Sequence, residues 1–183
     1  MVVLVVLLAL AVVFVRRYIR NAFDRLPRLD DTIGWHIQRE IDACLLTDEP
    51  VTLRNVPRIE DVATMLAILD DLGVSIEQKG HTLTLCAAGI RKRRLNPDLC
   101  RKVRSSILFA GPMAARHGRV ILFPPGGDVI GRRRLDTHFD GLRQLGIHAT
   151  GTNAYDFKRQ HLQGAALLLD EASVPATENI VMP

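Results

Sequence analysis

Cysteine, aromatic residues and paired histidines are scarce in this 183-residue chain. The three cysteines, Cys44, Cys86 and Cys100, form no CxxC pair and no zinc-like spacing, which indicates reduced thiols in a cytosolic protein. The six histidines are scattered and show no metal-ligand pairing. Aromatic residues make up 5% of the chain, too few to supply base-stacking rings along a basic surface. The residues therefore predict no metal and no organic cofactor.

The length and charge of the chain set two further limits. A chain of 183 residues can bury one core of moderate size and has no room for two large domains. Twenty-four basic against twenty acidic residues give a net charge of +4. This excess suits anionic partners without requiring a nucleic acid.

One long apolar run is present, at residues 1–15 (MVVLVVLLALAVVFV). As a helix it would span roughly 22 Å, short of the roughly 30 Å of membrane hydrocarbon. Residues 1–20 are thus either a short inner-membrane anchor, with Arg16, Arg17 and Arg20 on the cytoplasmic side, or a start that is foreign to the fold. A cleaved secretory signal is disfavoured, because no positive segment precedes the run and no small-residue cleavage site follows it.

Residues 21–44 are charged and mixed, and their pattern predicts one helix. Asp31 or Thr32 would cap this helix, and it would run to Leu46. Its apolar face would consist of Ile33, Ile37, Ile41 and Leu45. The helix carries no chemistry of its own.

An internal repeat follows. Residues 51–55 predict a strand, the next apolar positions a helix that ends at Gly73, and Lys79-Gly80 the turn of a hairpin. The same order recurs as a strand at 119–123, a helix at 135–145 and a hairpin around Thr152-Asn153. The matching stretches LDDLGVSI and LRQLGIHA are 73 residues apart, so each copy is a small unit that needs its neighbour to bury its apolar face.

A basic segment separates the two copies. Asn96-Pro97-Asp98 predicts a helix start, and the apolar spacing carries this helix on to His117, bent at Gly111-Pro112. Arg101 and Arg104 would then project from one face, either as a solvated cationic surface or as a binding surface. Arg91–Arg94 is interpreted as a solvated surface segment.

The stretch PPGGDVIGRRRLDTHFDGLRQLG, which begins at Pro124, carries the densest chemistry. Gly126 and Gly127 permit a tight turn or a close approach to a ligand. Asp128 follows, and then three adjacent arginines, Arg132–Arg134, stand just before a helix N-terminus. Guanidinium groups and a helix N-terminus both favour phosphate or carboxylate groups. The alternative is a solvated surface turn with a basic edge.

This stretch resembles the active-site loop of the bacterial enolpyruvyltransferases, whose pattern is roughly PGGCxIGxRPVDxHxxGLxxLG. Within that family it is most similar to the branch that acts on UDP-N-acetylglucosamine. The similarity runs from Leu45 to the C-terminus, so residues 45–183 are expected to form part of the loop-bearing domain. The implied fold is α+β, with repeated βαβαββ units that form part of an inside-out α/β barrel domain, and a second domain is expected to be missing.

The resemblance implies a reaction and its residues. The enolpyruvyl group of phosphoenolpyruvate would be transferred to the 3-hydroxyl of UDP-N-acetylglucosamine, for peptidoglycan synthesis in the cytoplasm. Asp128 would be the proton donor at the position of the family's loop cysteine. The implied contacts to UDP-N-acetylglucosamine are Arg104, Arg133, Arg134, Leu135, Asp136, Thr137, Ser173 and Val174.

Departures from the family pattern leave alternatives open. Gly34 and Trp35 replace a Lys-Asn pair of the enolpyruvate site, and Arg134 replaces a proline. Residues 166–183 predict a strand, a turn and a helix that is cut off, so we expect the chain to be inactive alone. The alternatives are a non-catalytic membrane-anchored relative and a nucleic-acid-binding module, the latter suggested by the arginine clusters.

Overall fold

The computed structural model describes residues 33–127 and 134–183. The apolar segment 1–20 and the loop residues 128–133 lie outside the described residues, so the predicted membrane anchor stays a prediction. No helix within the described ranges is both long enough and apolar enough to cross a membrane.

Helices and short antiparallel strands alternate along the described chain, as expected for an α+β fold. In order they are α1 (Ile33–Ala43), β1 (Val51–Leu53), α2 (Glu60–Leu72), β2 (Ser75–Lys79), β3 (Thr82–Cys86), α3 (Pro97–Cys100), α4 (Ala110–His117), β4 (Arg119–Leu122), α5 (Asp136–Gln144), β5 (Ile147–Thr150), β6 (Tyr155–Arg159) and α6 (Val174–Val181). Short 3-10 helices lie at Cys44–Leu46, Ala87–Gly89 and Arg104–Phe109.

The first repeat consists of β1, α2, β2 and β3, as predicted. Its three strands form an antiparallel sheet in the order β1-β3-β2. Helix α2 ends because Gly73 adopts a φ of 101° and donates its N–H to the carbonyls of Leu69 and Asp70, at 3.1 and 2.9 Å. The hairpin turns at Gly80, whose φ is 62°. The sequence prediction of this unit is confirmed.

The second repeat, β4, α5, β5 and β6, has the same arrangement. Its sheet order is β4-β6-β5, again antiparallel, and Gly146 ends the helix region with a φ of 90°. Helix α5 packs on this sheet through Phe139, whose ring meets those of Tyr155 and Phe157 edge-on at 5.0 and 5.4 Å. The predicted internal repeat is confirmed.

Of the apolar face predicted for this region, Ile37 and Ile41 are buried in α1, and Leu45 is buried in the 3-10 helix Cys44–Leu46 that follows it. The same region carries an isolated acid, Asp42, which has 0% exposure. Burial raises the pKa of Asp42 well above its usual value, and the nearby Glu178 of α6 adds to the shift. Burial and the charge of Glu178 therefore both disfavour the ionised form of Asp42.

The predicted long helix from Pro97 to His117 is wrong. Helix α3 ends at Cys100, Val103 is extended with φ −136° and ψ 135°, and the chain resumes as the 3-10 helix Arg104–Phe109 before α4. Arg101 and Arg104 therefore lie on separate elements and do not share one helical face. Asn96 does cap α3, since its side chain accepts N–H groups from Asp98 and Leu99.

The C-terminal segment differs from its prediction in one element. Residues 166–169 form no strand, and Leu168 is 95% exposed. This apolar run therefore does not join a sheet. The predicted helix opening is confirmed: the Ser173 hydroxyl accepts the N–H of Ala176 at 3.3 Å and caps α6. Helix α6 then packs against α5, α4 and the 3-10 helix Arg104–Phe109.

Candidate functional site

The break after α3 is built around two backbone hydrogen bonds from the loop glycines. Gly126 donates its N–H to the Cys100 carbonyl at 3.0 Å, and Gly127 donates to the Arg101 carbonyl at 3.2 Å. A continuous helix would have used these carbonyls itself. The break therefore holds the start of the loop beside the turn that carries Arg104.

Only glycine fits at these two loop positions. A Cβ on Gly126 would lie 1.6 Å from the Arg101 carbonyl oxygen. Gly127 has a φ of 86°, and a Cβ there would lie 3.2 Å from the Arg104 nitrogen. The glycine pair thus serves for close approach of two backbone segments, which is one of the two uses that the sequence predicts.

The other end of the loop is held by a cluster of polar side chains, here called the loop-exit cluster: Arg104, Arg134, Asp136, Thr137 and Asp170. Arg104 donates from Nη2 to the Arg134 carbonyl at 3.0 Å. Arg134 donates from Nε to Asp136 Oδ2 at 2.9 Å and pairs through Nη2 with Asp170 Oδ2 at 2.8 Å. Thr137 Oγ1 donates to Asp170 Oδ1 at 2.9 Å. The two ends of the loop are therefore both attached to one short stretch of chain, residues 100–104.

The charges of the loop-exit cluster are mutually matched. The hydrogen bond from Arg134 lowers the pKa of Asp136, and the hydrogen bond to Asp136 raises the pKa of Arg134. Asp136 is therefore an ionised acceptor at neutral pH. Arg134 contacts Oδ2 of this carboxylate through both Nε and Nη2.

Five of the predicted site residues are brought together by this geometry: Arg104, Arg134, Leu135, Asp136 and Thr137. Ser173 and Val174 stand at the start of α6, three and four residues after Asp170, with Val174 63% exposed. Asp128, Arg132 and Arg133 lie outside the described residues, so their roles stay predictions. Gly34 and Trp35 fall in the first turn of α1.

The basic segment Arg91–Arg94 lies at the edge of the second sheet. Its backbone runs parallel to β4: Ile121 donates to the Arg93 carbonyl at 2.7 Å and accepts from the Leu95 N–H at 2.9 Å. Lys92 pairs with Asp71, and the Arg94 guanidinium lies 4.8 Å from the centre of the Phe123 ring. These contacts agree with the interpretation of Arg91–Arg94 as a solvated surface segment.

Sequence reasoning missed Asp170, His138 and Asn179. Asp170 follows an exposed apolar run, and nothing in the local pattern marks it. Asn179 and His138 are 0% and 3% exposed. The sequence signal that could have marked them is a polar residue at an inward helical position, since Ala176 and Ile180 flank Asn179 on the buried side of α6.

No described group of three or more His, Cys, Asp or Glu side chains could hold a metal ion.

The chain matches a known protein family over most of its length. The sequence profile of EPSP synthase (3-phosphoshikimate 1-carboxyvinyltransferase) matches residues 39–183. The chain belongs to the EPSP synthase family. This confirms the resemblance to enolpyruvyltransferases that the loop suggests.

Relatives within the family carry a more specific name. The chain is 51% identical over 143 residues to UDP-N-acetylglucosamine 1-carboxyvinyltransferase of Bradyrhizobium diazoefficiens, a match that covers 78% of the chain and 33% of that protein. It is 46% identical over 143 residues to the protein of the same name from Treponema denticola, covering 78% of the chain and 34% of that protein. The chain thus spans about a third of the length of these relatives.

Solved structures of the family share the fold. The EPSP synthase of Acinetobacter baumannii superposes with a TM-score of 0.63 at 20% identity, covering 81% of this chain and 35% of that one. The enolpyruvyl transferase NikO of Streptomyces tendae gives a TM-score of 0.58 at 21% identity, covering 69% and 28%. The predicted α+β enolpyruvyltransferase fold is confirmed.

Proposed function

We propose that this chain is the loop-bearing part of a UDP-N-acetylglucosamine 1-carboxyvinyltransferase. Such an enzyme transfers the enolpyruvyl group of phosphoenolpyruvate to the 3-hydroxyl of UDP-N-acetylglucosamine, in cytoplasmic peptidoglycan precursor synthesis. The chain is 51% identical to the Bradyrhizobium protein and only 20% identical to the EPSP synthase of Acinetobacter baumannii. This difference supports UDP-N-acetylglucosamine over 3-phosphoshikimate as the acceptor. In this proposal residues 45–183 form part of the loop-bearing domain.

The observation that carries the proposal is the attachment of both loop ends to the short stretch of residues 100–104. The sugar hydroxyl loses its proton and its oxygen bonds to C2 of phosphoenolpyruvate while a proton is delivered to the methylene carbon. Phosphate then leaves together with a proton from the resulting methyl group, which restores the double bond. Several negative charges must be held in fixed positions throughout. In this proposal, the two fixed ends at Gly126 and Arg134 limit where the loop can carry its arginines and Asp128.

Each proposed residue has a role that fits its chemistry. Asp128 would deliver the proton, and Arg133 would hold anionic groups of the substrates. Arg104 would contact the sugar nucleotide, and Asp136 would accept the uracil N–H at Oδ1. Leu135, Thr137, Ser173 and Val174 would line the nucleotide site, while Arg134 would orient Asp136.

Calorimetric titration of the purified chain tests the proposal. UDP-N-acetylglucosamine is expected to bind more tightly than 3-phosphoshikimate or a single-stranded oligonucleotide of equal charge. Preference for 3-phosphoshikimate would move the chain to the other branch of the family. Tighter, salt-dependent retention of the oligonucleotide would favour the nucleic-acid alternative.

A matched pair of arginine variants sharpens this titration. Arg104→Met is expected to weaken UDP-N-acetylglucosamine binding roughly 10- to 100-fold, the usual loss for a hydrogen bond to a charged group. Arg101→Met is the control, because Arg101 is an exposed arginine that pairs with Asp98 at 3.0 Å, three residues away. Equal effects of the two substitutions would show that Arg104 contributes only general positive charge.

A further inference from the structure

Asn179 of α6 is a fully buried amide that joins three other elements. Its Oδ1 accepts the Gly111 N–H of α4 at 2.7 Å. Its Nδ2 donates to the Ile107 carbonyl of the 3-10 helix at 3.0 Å, and lies 3.2 Å from His138 Nδ1 of α5. An amide nitrogen carries two hydrogens, so both acceptors can be served at once.

These contacts define the state of the His138 ring. Since Asn179 Nδ2 can only donate, His138 Nδ1 is the acceptor and the ring proton lies on Nε2. Burial, with a smaller contribution from the positive charge of Arg104, lowers the pKa of His138 to about 4. The imidazole is therefore neutral near pH 7. Its pKa depends in part on the charge of Arg104, a proposed ligand-binding residue.

The backbones around Asn179 approach too closely to shift independently. A Cβ on Gly111 would lie 2.3 Å from the Asn179 carbonyl oxygen. A Cβ on Gly141 of α5 would lie 2.1 Å from Ile180 Cδ1. Helix α6 is thus seated against α4 on one side and α5 on the other, with little space on either side.

Each arm of this network ends next to a residue of the proposed site. Ile107 lies three residues after Arg104 in the same 3-10 helix. His138 lies two residues after Asp136 in α5. Asn179 itself belongs to the helix that Ser173 caps. One side chain therefore links the three segments that would contact the sugar nucleotide.

We propose that Asn179 is a positioning residue that fixes the 3-10 helix of Arg104, the first turn of α5 and the start of α6 relative to one another for nucleotide binding. This inference rests on the proposed function for its ligand. The mechanism is geometric: without the amide, the three segments remain folded but their mutual placement is no longer specified.

Two substitutions separate positioning from folding. Asn179→Asp keeps the acceptor for Gly111 and loses the two donated hydrogen bonds, whereas Asn179→Ala loses all three. Leu85→Ala is the control, because Leu85 is 0% exposed in β3 of the first repeat and its truncation destabilises the core away from α6. Each variant is studied under conditions where circular dichroism shows it to be folded.

Calorimetry and amide hydrogen exchange are then measured on the same samples. Both Asn179 variants are expected to bind UDP-N-acetylglucosamine at least roughly tenfold more weakly than the parent chain, and Leu85→Ala to bind normally. Exchange in the Asn179 variants is expected to rise most at 104–107 and 136–139. The ¹⁵N shifts of the His138 ring are expected to lose the Nε2–H pattern.

The outcomes are distinguishable. If the parent chain binds no UDP-N-acetylglucosamine, the proposed function fails, and exchange and the His138 shifts still decide the role of Asn179. If the Asn179 variants bind as tightly as the parent, or if exchange rises equally in the first repeat, Asn179 is a core residue without a positioning role. Weakened binding by Leu85→Ala to the same degree would also overturn the proposal.

Discussion

The two repeats of this chain have one framework and different uses. The first repeat spans residues 51–86 and the second spans 119–159, and both place a central third strand between the other two. A shift of 73 residues superimposes the helix-ending glycines, Gly73 and Gly146, which have φ of 101° and 90°. Because the framework is shared, the differences between the repeats show what the site requires.

The first difference is the connection between strand and helix. In the first repeat it takes six residues, 54–59, and in the second it takes thirteen, 123–135. The longer connection contains the glycine pair, Asp128 and the arginines. The site is thus an extension of a repeated unit, placed where the strand gives way to the helix.

The second difference is the buried face of the helix. Met65 and Ile68 of α2 are both 0% exposed, and the shift of 73 residues places His138 and Gly141 of α5 at the same positions. Here α6 packs against α5, with Asn179 beside His138 and Ile180 over Gly141. In the second repeat, smaller or more polar residues replace the two apolar side chains, and α6 packs against them.

The largest expected effect on stability comes from replacing Gly141 of the second repeat by isoleucine, the residue at the matching position 68 of the first repeat. Gly141→Ile is expected to cost about 3 kcal/mol of unfolding free energy, because its side chain would occupy the volume of Ile180. Gly141→Ala is the control and should cost no more than about 1 kcal/mol, since helix propensity offsets part of the contact. Denaturant unfolding measures both variants. If the free energy of unfolding of Gly141→Ile equals that of the parent chain, α6 does not pack against Gly141.

The loop glycines give the next effect. Gly126→Ala is expected to cost about 2 kcal/mol, because the new Cβ must push the loop from the Arg101 carbonyl and break its backbone hydrogen bonds. In the first repeat, Gly80→Ala meets no atom within 4 Å and should cost only about 1 kcal/mol, from its positive φ. Equal unfolding midpoints for the two variants would show that the loop is not held at the break.

The pH dependence of stability should differ at the matched positions 65 and 138. The unfolded His138 binds a proton near its ordinary pKa of 6.5, while the folded residue stays neutral until about pH 4. The unfolded state therefore binds more protons in this window, and stability is lost as the pH falls from 6.5 to 4.

His138→Met, which copies the first repeat, removes this contribution. The parent chain is expected to lose roughly 2–3 kcal/mol more than the variant across the window. Denaturant unfolding at half-unit pH intervals measures the difference between the two curves. Parallel curves would mean that the pKa of His138 in the folded chain equals its unfolded value.

The smallest effect concerns the exposed part of the loop-exit cluster. Asp170→Asn should cost less than about 1 kcal/mol, because both partners of the Arg134–Asp170 pair are 46% exposed and screened by solvent. Asp71→Asn removes the pair with Lys92 beside the first repeat and serves as the control. A loss well above the control would indicate a larger structural role for Asp170.

The elements with a local cause were predictable from the sequence. Glycines after the helices, the Lys79-Gly80 turn and the Asn96 cap each act on neighbouring residues, and each is confirmed. The resemblance of the loop supplied the family, and five of its implied site residues lie together.

The features that the sequence did not predict have distant causes. The break after Cys100 contains no glycine or proline, and it arises because Gly126 and Gly127 take the carbonyls of Cys100 and Arg101. Periodicity alone favoured a continuous helix there. Likewise, Asp170 gains its role only from Arg134 and Thr137, which lie more than 30 residues earlier.

The most direct measurement is a hydrogen-exchange footprint of the chain with saturating UDP-N-acetylglucosamine. Protection is expected at 101–104, at 124–137 and at 170–176, with no change in the corresponding first-repeat connection, 54–59. Protection confined to the first repeat, or spread evenly over both repeats, would contradict the assignment of the nucleotide site to the second.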